Sequence, residues 1–125
     1  MSKYFDKPVA YLEDQDFDKS GNLIARGVPK DKPVVIMLQA SWCPHCTTAR
    51  PEFQAFADAT AGHVFCATVQ ADGEFPSEKA LAKRIKTLKP NFRGFPDYIL
   101  YKNGRRIDRE IKGRDVRSLR DFCTI

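Results

Sequence analysis

The sequence lacks the features of a membrane or secreted protein. No apolar run approaches the ~20 residues that a transmembrane helix requires. The first eight residues, MSKYFDKP, contain no apolar segment of the kind that secretory signals carry. These absences predict a cytoplasmic protein without membrane partners.

The composition also gives no strong indication of a nucleic-acid partner. The 125 residues carry 21 basic and 16 acidic side chains, a net charge of +5, and 42% of the residues are hydrophobic. Basic residues run together only in pairs, such as Arg105 and Arg106, so we interpret them as part of an ordinary solvent-exposed surface that keeps the protein soluble. They become more frequent after Arg93, which leaves an acidic protein partner open. The length predicts one domain, expected to be monomeric, that folds without metals or disulfides.

Hydrophobic patterns predict a sheet between helices. Apolar runs predict strands at 9–12, 34–38, 63–70, 97–102 and 105–111, the last two joined by an Asn-Gly turn. Apolar residues at three- and four-residue steps predict helices at 43–60, with Pro51 inside, at 77–88 with Ser77 as N-cap, and after Asp115. This order indicates an α/β fold, a central mixed β-sheet flanked by α-helices. Residues 19–32 are predicted to form an insertion or a long loop.

Two of the four cysteines, Cys43 and Cys46, stand three residues apart at the start of the first predicted helix. A structural zinc site needs four ligands, normally as two close pairs. The other cysteines, Cys66 and Cys123, stand alone in the sequence, and His45 and His63 form no second pair. A purely structural disulfide is also disfavoured, because a bridge between residues three apart constrains the unfolded chain little. We therefore expect no metal, and a redox-active pair fits best.

A helix that begins near Cys43 would activate its sulfur. The free N–H groups and the positive end of the helix dipole stabilise a thiolate at that position. Cys43, at the exposed end, is predicted to be the attacking nucleophile, and Cys46, one turn deeper, to resolve the mixed disulfide. Such a pair exchanges electrons with protein disulfides without a cofactor.

Several segments together resemble the thioredoxin superfamily. SWCPHC at 41–46 is similar to its Trp-Cys-x-x-Cys motif, and Pro51 matches its helix-kinking proline. FRGFPDYILYKNG at 92–104 resembles its proline-bearing strand and hairpin, and Gly113 matches the glycine before its last helix. VAYLEDQDFD at 9–18 resembles its first strand and helix start. The resemblance covers nearly the whole chain and implies the thioredoxin fold and a protein thiol–disulfide oxidoreductase acting on protein substrates.

The resemblance also implies which residues receive the substrate. Pro96 would be the cis-proline that faces the active site, and Phe95 would pair through its backbone with an extended substrate segment. Trp42 would flank Cys43 as an apolar docking surface. The alternatives are a trans-proline that merely opens a strand and a tryptophan in the core.

The dipeptide between the cysteines, Pro44-His45, resembles that of the DsbA-type bacterial oxidases. Thioredoxins have Gly-Pro there and protein disulfide isomerases Gly-His. His45 can donate a hydrogen bond or positive charge to the Cys43 thiolate, which makes the disulfide a stronger oxidant. We therefore expect oxidation or isomerisation of protein disulfides, with reduction second. The alternatives are a His45 that is simply solvated and a non-catalytic protein-binding module on the same fold.

Three positions depart from the family pattern. Met37 stands where thioredoxins and disulfide isomerases carry a buried acid that is thought to take the proton of the second cysteine. Thr68 stands near the position of their lysine, and Gln39 replaces a tryptophan. Resolution by Cys46 must then use water, His45 or another base, which argues against efficient general reductase turnover.

Neither of the two remaining cysteines is predicted to be catalytic. Cys66 lies in an apolar strand and should be a buried, inert thiol. Cys123, near the end of the chain, could be exposed and form an intermolecular bond.

Overall fold

The computed structural model describes residues 4–124, which form a five-stranded sheet with helices on both faces. The strands are β1 (Ala10–Tyr11), β2 (Val34–Gln39), β3 (Phe65–Gln70), β4 (Asp97–Lys102) and β5 (Arg105–Ile107). The helices are α1 (Pro44–Ala59), α2 (Pro76–Lys83), α3 (Ile85–Leu88) and α4 (Val116–Phe122). The sheet order is β1-β3-β2-β4-β5; β1, β3 and β2 are parallel, and β4 is antiparallel to both β2 and β5. The predicted mixed α/β architecture is confirmed.

The central strand β2 is buried on both faces. Val35 and Met37 point into a core shared with α1 and α4, whereas Val34, Ile36 and Leu38 point into a second core under α2 and α3. All six residues of the strand are buried. This two-sided burial explains why the strand is an unbroken apolar run in the sequence instead of an alternating one.

Helix α1 begins just beyond the carboxyl end of β2. Cys43 is its N-cap residue, and Pro44 occupies the first helical turn, where its missing N–H costs no hydrogen bond. Pro51 lies inside the helix, as predicted. The two cysteines therefore sit at the edge where the parallel strands end, which is where ligand sites form in α/β sheets. Within residues 4–124 no helix is both long and apolar enough to cross a membrane.

The start of α2 differs from the prediction. The N-cap residue is Phe75 and not Ser77, and Pro76 occupies the first helical turn. The reason is that the Glu78 side chain accepts the Phe75 N–H at 3.0 Å, so the helix starts two residues earlier than predicted. The Ser77 hydroxyl instead donates to the carboxylate of Glu13.

The helix predicted at 77–88 is also interrupted, at Arg84. Its guanidinium donates to the Asp14 carboxylate at 2.6 Å and to the carbonyls of Asp14, Phe17 and Asp18 at 2.7–3.1 Å. These bonds hold Arg84 outside helical geometry, with φ −117° and ψ 30°, so α3 starts as a separate turn. A tertiary contact has overridden the local helical pattern.

The loop 19–32 packs over the hairpin that joins β4 and β5. The hairpin turns at Asn103 and Gly104, whose φ angles of 54° and 78° are those that an Asn-Gly turn adopts. The Leu23 N–H donates to the Gly104 carbonyl at 2.8 Å, and the Tyr101 hydroxyl donates to the Gly21 carbonyl at 2.6 Å. The loop thus covers one end of the sheet, away from the cysteine pair.

A buried lysine with two carboxylate partners fixes the turn that precedes β4. Lys89 is 1% exposed, and its ammonium donates to Asp97 at 2.6 Å and to Glu110 at 3.0 Å. Because the chain bends so that Glu110 reaches this lysine, β5 ends at Ile107 and not at residue 111 as predicted. Asp97 directly follows Pro96, so these ion pairs position the proline turn.

Candidate active site

The cysteine pair lies against the proline turn. The Cys43 sulfur accepts the Cys46 N–H at 3.1 Å, and the Cys43 thiol donates to the Phe95 carbonyl at 3.5 Å. The peptide bond between Phe95 and Pro96 is cis, as expected from the resemblance. Cys43 and Phe95 are 52 residues apart in the sequence, so the fold alone brings them together.

Cys43 is more enclosed than predicted. The sequence placed it at the exposed end of the pair, but the residue is only 3% exposed. The reason is that Cys43 packs into the core on the α1 side, together with Ala40 and Cys46, and Phe95 packs against that core. An incoming disulfide therefore has only a narrow approach to the sulfur.

Cys46 is fully buried. Burial raises the pKa of Cys46 well above its ordinary value, and the hydrogen bond with Cys43 raises it further. The Ala40 backbone amide and the positive charge of Arg50 act in the opposite direction but do not cancel the effect of burial. Cys46 therefore keeps its proton at neutral pH and must lose it before it can attack another sulfur.

An aromatic surface formed by Trp42, Phe92 and Phe95 lies beside Cys43. Trp42 is 68% exposed and is not the core residue that was the alternative. Its ring centroid lies 5.7 Å from that of Phe95, nearly perpendicular to it, and the Phe92 centroid lies 4.9 Å from Phe95. This surface is both apolar and accessible, which suits contact with a polypeptide.

Pro44 and His45 both point outward. Each is exposed, and among residues 4–124 no hydrogen bond joins His45 to Cys43. The predicted influence of His45 on the thiolate would therefore act through its charge. That influence stays a prediction.

The core below the cysteines contains no acid at the position where the family carries one. Met37 is fully buried and lies opposite Tyr98 in the β2–β4 register. The Thr68 hydroxyl donates to the Met37 carbonyl at 2.8 Å and is satisfied within the sheet. The Tyr98 hydroxyl is buried and has no hydrogen-bond partner within the described part of the chain.

Arg50 was not identified from the sequence. It lies four residues after Cys46 in α1, and its guanidinium donates to the Gln39 side chain at 2.8 Å and to the Ala40 carbonyl at 2.9 Å. The guanidinium also lies over the Tyr4 ring, 4.3 Å from its centroid. The four-residue spacing, which places two side chains on one side of a helix, was the signal that could have identified it.

Ser41 and Asp72 tie the active-site loop to the segment after β3. The Ser41 N–H donates to both Asp72 carboxylate oxygens, at 3.0 and 3.1 Å. Although burial acts to raise the pKa of Asp72, the hydrogen bonds from Ser41 lower it. The charged carboxylate therefore holds the backbone directly before Trp42.

The other two cysteines are both buried. Cys66 is 2% exposed, and burial raises its pKa to about 12, which agrees with the predicted inert thiol. The suggestion that Cys123 is exposed is wrong: the residue is 8% exposed, and its thiol donates to the Arg120 carbonyl at 3.3 Å. Packing of the end of α4 covers it. Among the described residues no group of three or more His, Cys, Asp or Glu side chains could hold a metal ion.

A mixed sheet flanked by helices, with a Cys-x-x-Cys pair against a cis-proline, defines the thioredoxin-like class of thiol–disulfide oxidoreductase folds. Comparison with known proteins agrees. The family model described as Thioredoxin matches residues 8–124, so the chain belongs to the thioredoxin family.

Relatives of this chain fall into both the thioredoxin and the disulfide-isomerase groups. It is 44% identical over 119 residues to a protein described as thioredoxin-like, 453L of Invertebrate iridescent virus 6, covering 86% of each chain. It is 30% identical over 92 residues to Thioredoxin-1 of Schizosaccharomyces pombe, covering 74% of this chain and 79% of that one. Protein disulfide-isomerase A5 of Bos taurus is 32% identical over 98 residues, which are 78% of this chain but 16% of that protein.

A solved structure supports the fold. The crystal structure of the Trx4 domain of ERdj5 superposes with a TM-score of 0.64 and covers 93% of this chain and 92% of that one, at 20% sequence identity. At this identity the likeness concerns the fold alone.

The unpaired Tyr98 hydroxyl predicts a gain in stability on its removal. Tyr98→Phe should raise the free energy of unfolding by about 1 kcal/mol, because a buried hydroxyl without a partner is costly. Tyr101→Phe is the matched control on the same strand, since its hydroxyl is bonded to Gly21, and it should lower the free energy of unfolding by about 1 kcal/mol. Urea denaturation measures both changes, with the dependence of the free energy of unfolding on urea concentration expected to be the same in the variants and the parent. A destabilised Tyr98→Phe would show that this hydroxyl has a partner.

Proposed function

We propose that the protein is a thiol–disulfide oxidoreductase that exchanges a Cys43–Cys46 disulfide with protein substrates. The observation that carries the proposal is the geometry at the N-terminus of α1. There the Cys43 sulfur accepts the Cys46 amide at 3.1 Å and faces the Phe95 carbonyl at 3.5 Å. An amide donor and a helix N-terminus at one sulfur stabilise its thiolate, the form that attacks disulfides. Membership of the thioredoxin family supports the same chemistry.

The reaction proceeds in two sulfur transfers. In the first, the Cys43 thiolate attacks a substrate disulfide, forms a mixed disulfide and releases a substrate thiolate, which takes up a proton from solvent. In the second, Cys46 loses its proton and attacks the Cys43 sulfur, which closes the Cys43–Cys46 disulfide and releases the second substrate thiolate. The substrate gains two electrons and the enzyme loses two. The reverse sequence oxidises a substrate dithiol.

The Phe95 carbonyl links ionisation of Cys43 to substrate binding. While Cys43 is a thiol, it donates to this carbonyl. A thiolate has no proton to donate, so ionisation leaves the carbonyl free to accept an N–H from an extended substrate segment. The aromatic surface of Trp42, Phe92 and Phe95 would contact the apolar side chains of that segment. A flexible, extended substrate also suits the narrow approach to Cys43.

We favour oxidation or isomerisation over reduction. His45 adjoins Cys43 in the active-site loop, and a positive charge there would stabilise the reduced, thiolate form and make the disulfide more oxidising. The apolar Met37, at the position of the family's buried acid, would slow the second transfer, on which a reductase depends at every turnover. Relatives in both the thioredoxin and the disulfide-isomerase groups are consistent with either direction.

One observation favours the second candidate, a protein-binding module without catalysis. Cys43 is only 3% exposed, so a protein that only docks partners on the aromatic surface would have the same structure. The two functions differ in whether the sulfur reacts.

Insulin reduction with dithiothreitol as the electron source separates these two functions. We expect the parent chain to accelerate insulin precipitation and Cys43→Ser to fall to the uncatalysed rate, because the nucleophile is lost. Cys123→Ser, which removes a buried thiol outside the site, is the matched control and should retain the activity. Equal activity of Cys43→Ser and the parent would leave the binding module as the function.

The redox potential tests the direction of exchange. We expect the Cys43–Cys46 pair to be more oxidising than thioredoxin, whose potential is about −270 mV, and His45→Gln to lower it by about 30 mV. His63→Gln removes the other histidine, which is also exposed, and should leave the potential unchanged. Equilibration with glutathione buffers, read by mass spectrometry after alkylation, gives all three values. A parent potential at or below that of thioredoxin would contradict the oxidising assignment.

A further inference from the structure

We propose that Arg50 is a positioning residue for the second sulfur transfer: it holds the Ala40 carbonyl and the Gln39 side chain next to the cysteine pair and supplies the positive charge that favours the Cys46 thiolate. This inference rests on the proposed function, since it concerns the step in which Cys46 attacks the mixed disulfide.

The contacts of Arg50 join its charged group to the backbone that leads into Cys43. Arg50 follows Cys46 by one turn of α1, and residues four apart are neighbours on a helix surface. Its guanidinium donates to the Ala40 carbonyl at 2.9 Å, and the same carbonyl accepts the Cys43 N–H at 3.3 Å. The backbone of Ala40 thus connects Arg50 to the residue that forms the mixed disulfide.

Three further contacts fix the guanidinium in this place. It donates to the Gln39 side chain at 2.8 Å and to the Thr47 hydroxyl at 3.3 Å, and its face lies 4.3 Å from the centroid of the Tyr4 ring. Arg50 is half-buried, so its charge is less screened by salt than that of a surface arginine. A charge held in this way acts on Cys46 without the reorganisation that a mobile side chain would require.

The other surroundings of Cys46 mostly disfavour its thiolate. Burial and Cys43 raise the pKa of Cys46, whereas Ala40 and Arg50 lower it. On β2 the nearby Met37 is apolar, and on β4 the phenol of Tyr98 stays neutral, because burial keeps its pKa far above neutral pH. Arg114, before α4, acts on Tyr98. Arg50 is therefore the cation that acts directly on Cys46 within the described part of the chain.

The same charge serves both directions of exchange. When Cys46 attacks the mixed disulfide, a stabilised thiolate is present in a larger fraction of molecules. When a substrate thiolate attacks the closed Cys43–Cys46 disulfide, Cys46 is the leaving group, and a stabilised thiolate leaves faster. Arg50 thus changes the rate of exchange at the second cysteine without setting the direction of the reaction.

A chromogenic aryl disulfide, dithionitrobenzoate, separates the two transfers in the reduced full-length chain. With one equivalent of reagent, attack by Cys43 releases a first thionitrobenzoate, and attack by Cys46 on the resulting mixed disulfide releases a second. The double variant Cys43→Ser/Cys46→Ser gives the background from the two buried thiols, Cys66 and Cys123. The rate of the second release is then measured as a function of pH.

We expect Arg50→Gln to slow the second release by about threefold at neutral pH and to displace its pH profile upward. Each unit by which the pKa of Cys46 rises lowers the fraction of thiolate about tenfold. The more basic thiolate is about threefold more nucleophilic, so the net loss of rate is about threefold per unit. Arg50→Lys keeps the charge and should retain the pH profile of the parent. Arg117→Gln removes an exposed arginine of α4 and is the control for loss of one positive charge.

The outcomes distinguish failure of this inference from failure of the proposed function. If the first release is normal and Arg50→Gln leaves the second release and its pH profile unchanged, Arg50 has no such role. Equal slowing in Arg50→Lys and Arg50→Gln, with the profile of the parent, would mean a purely structural contact and would also overturn it. If the first release is absent from the parent, the proposed function itself fails. Arg50→Met, which keeps the packing on Tyr4, replaces Arg50→Gln if that variant does not fold.

Discussion

The site depends on one close approach, that of the first turn of α1 to the turn that carries Pro96. The Cys43 sulfur lies between an amide of its own helix and the Phe95 carbonyl, so one atom connects two distant segments of the chain. Burial of β2 on both faces fixes the position of α1, and the ion pairs of Lys89 fix the start of β4. The position of the Cys43 thiol thus rests on the packing of the whole sheet.

Much of the fold could be predicted from local signals. The apolar run of β2, the Asn-Gly turn before β5 and the N-cap Asp115, which accepts the Ser118 N–H at 2.9 Å, each follow from short-range rules. The interruption of the helix at Arg84 and the early end of β5 arose where distant contacts prevail. Arg84 ends α2 because its guanidinium binds the segment around Asp14, and no pattern within the helix shows this contact.

The site itself was only partly predictable. The Cys43–Cys46 spacing and the Phe95–Pro96 dipeptide are visible in the sequence, and the fold brings them together. The enclosure of Cys43 was missed, because the exposure of a residue at a helix start depends on what the rest of the chain packs against it. Under the proposed function, enclosure would also protect the Cys43 thiol from adventitious oxidants and favour substrates that can enter the site as an extended chain.

Trapping of the mixed disulfide tests the central claim most directly. Cys46→Ser removes the thiol that completes the second transfer, so a peptide disulfide mixed with this variant should remain covalently attached. We predict that mass spectrometry of the digested complex places the bond at Cys43, and that Cys43→Ser/Cys46→Ser forms no such complex. Attachment at Cys66 or Cys123, or an equal yield from the double variant, would contradict the account.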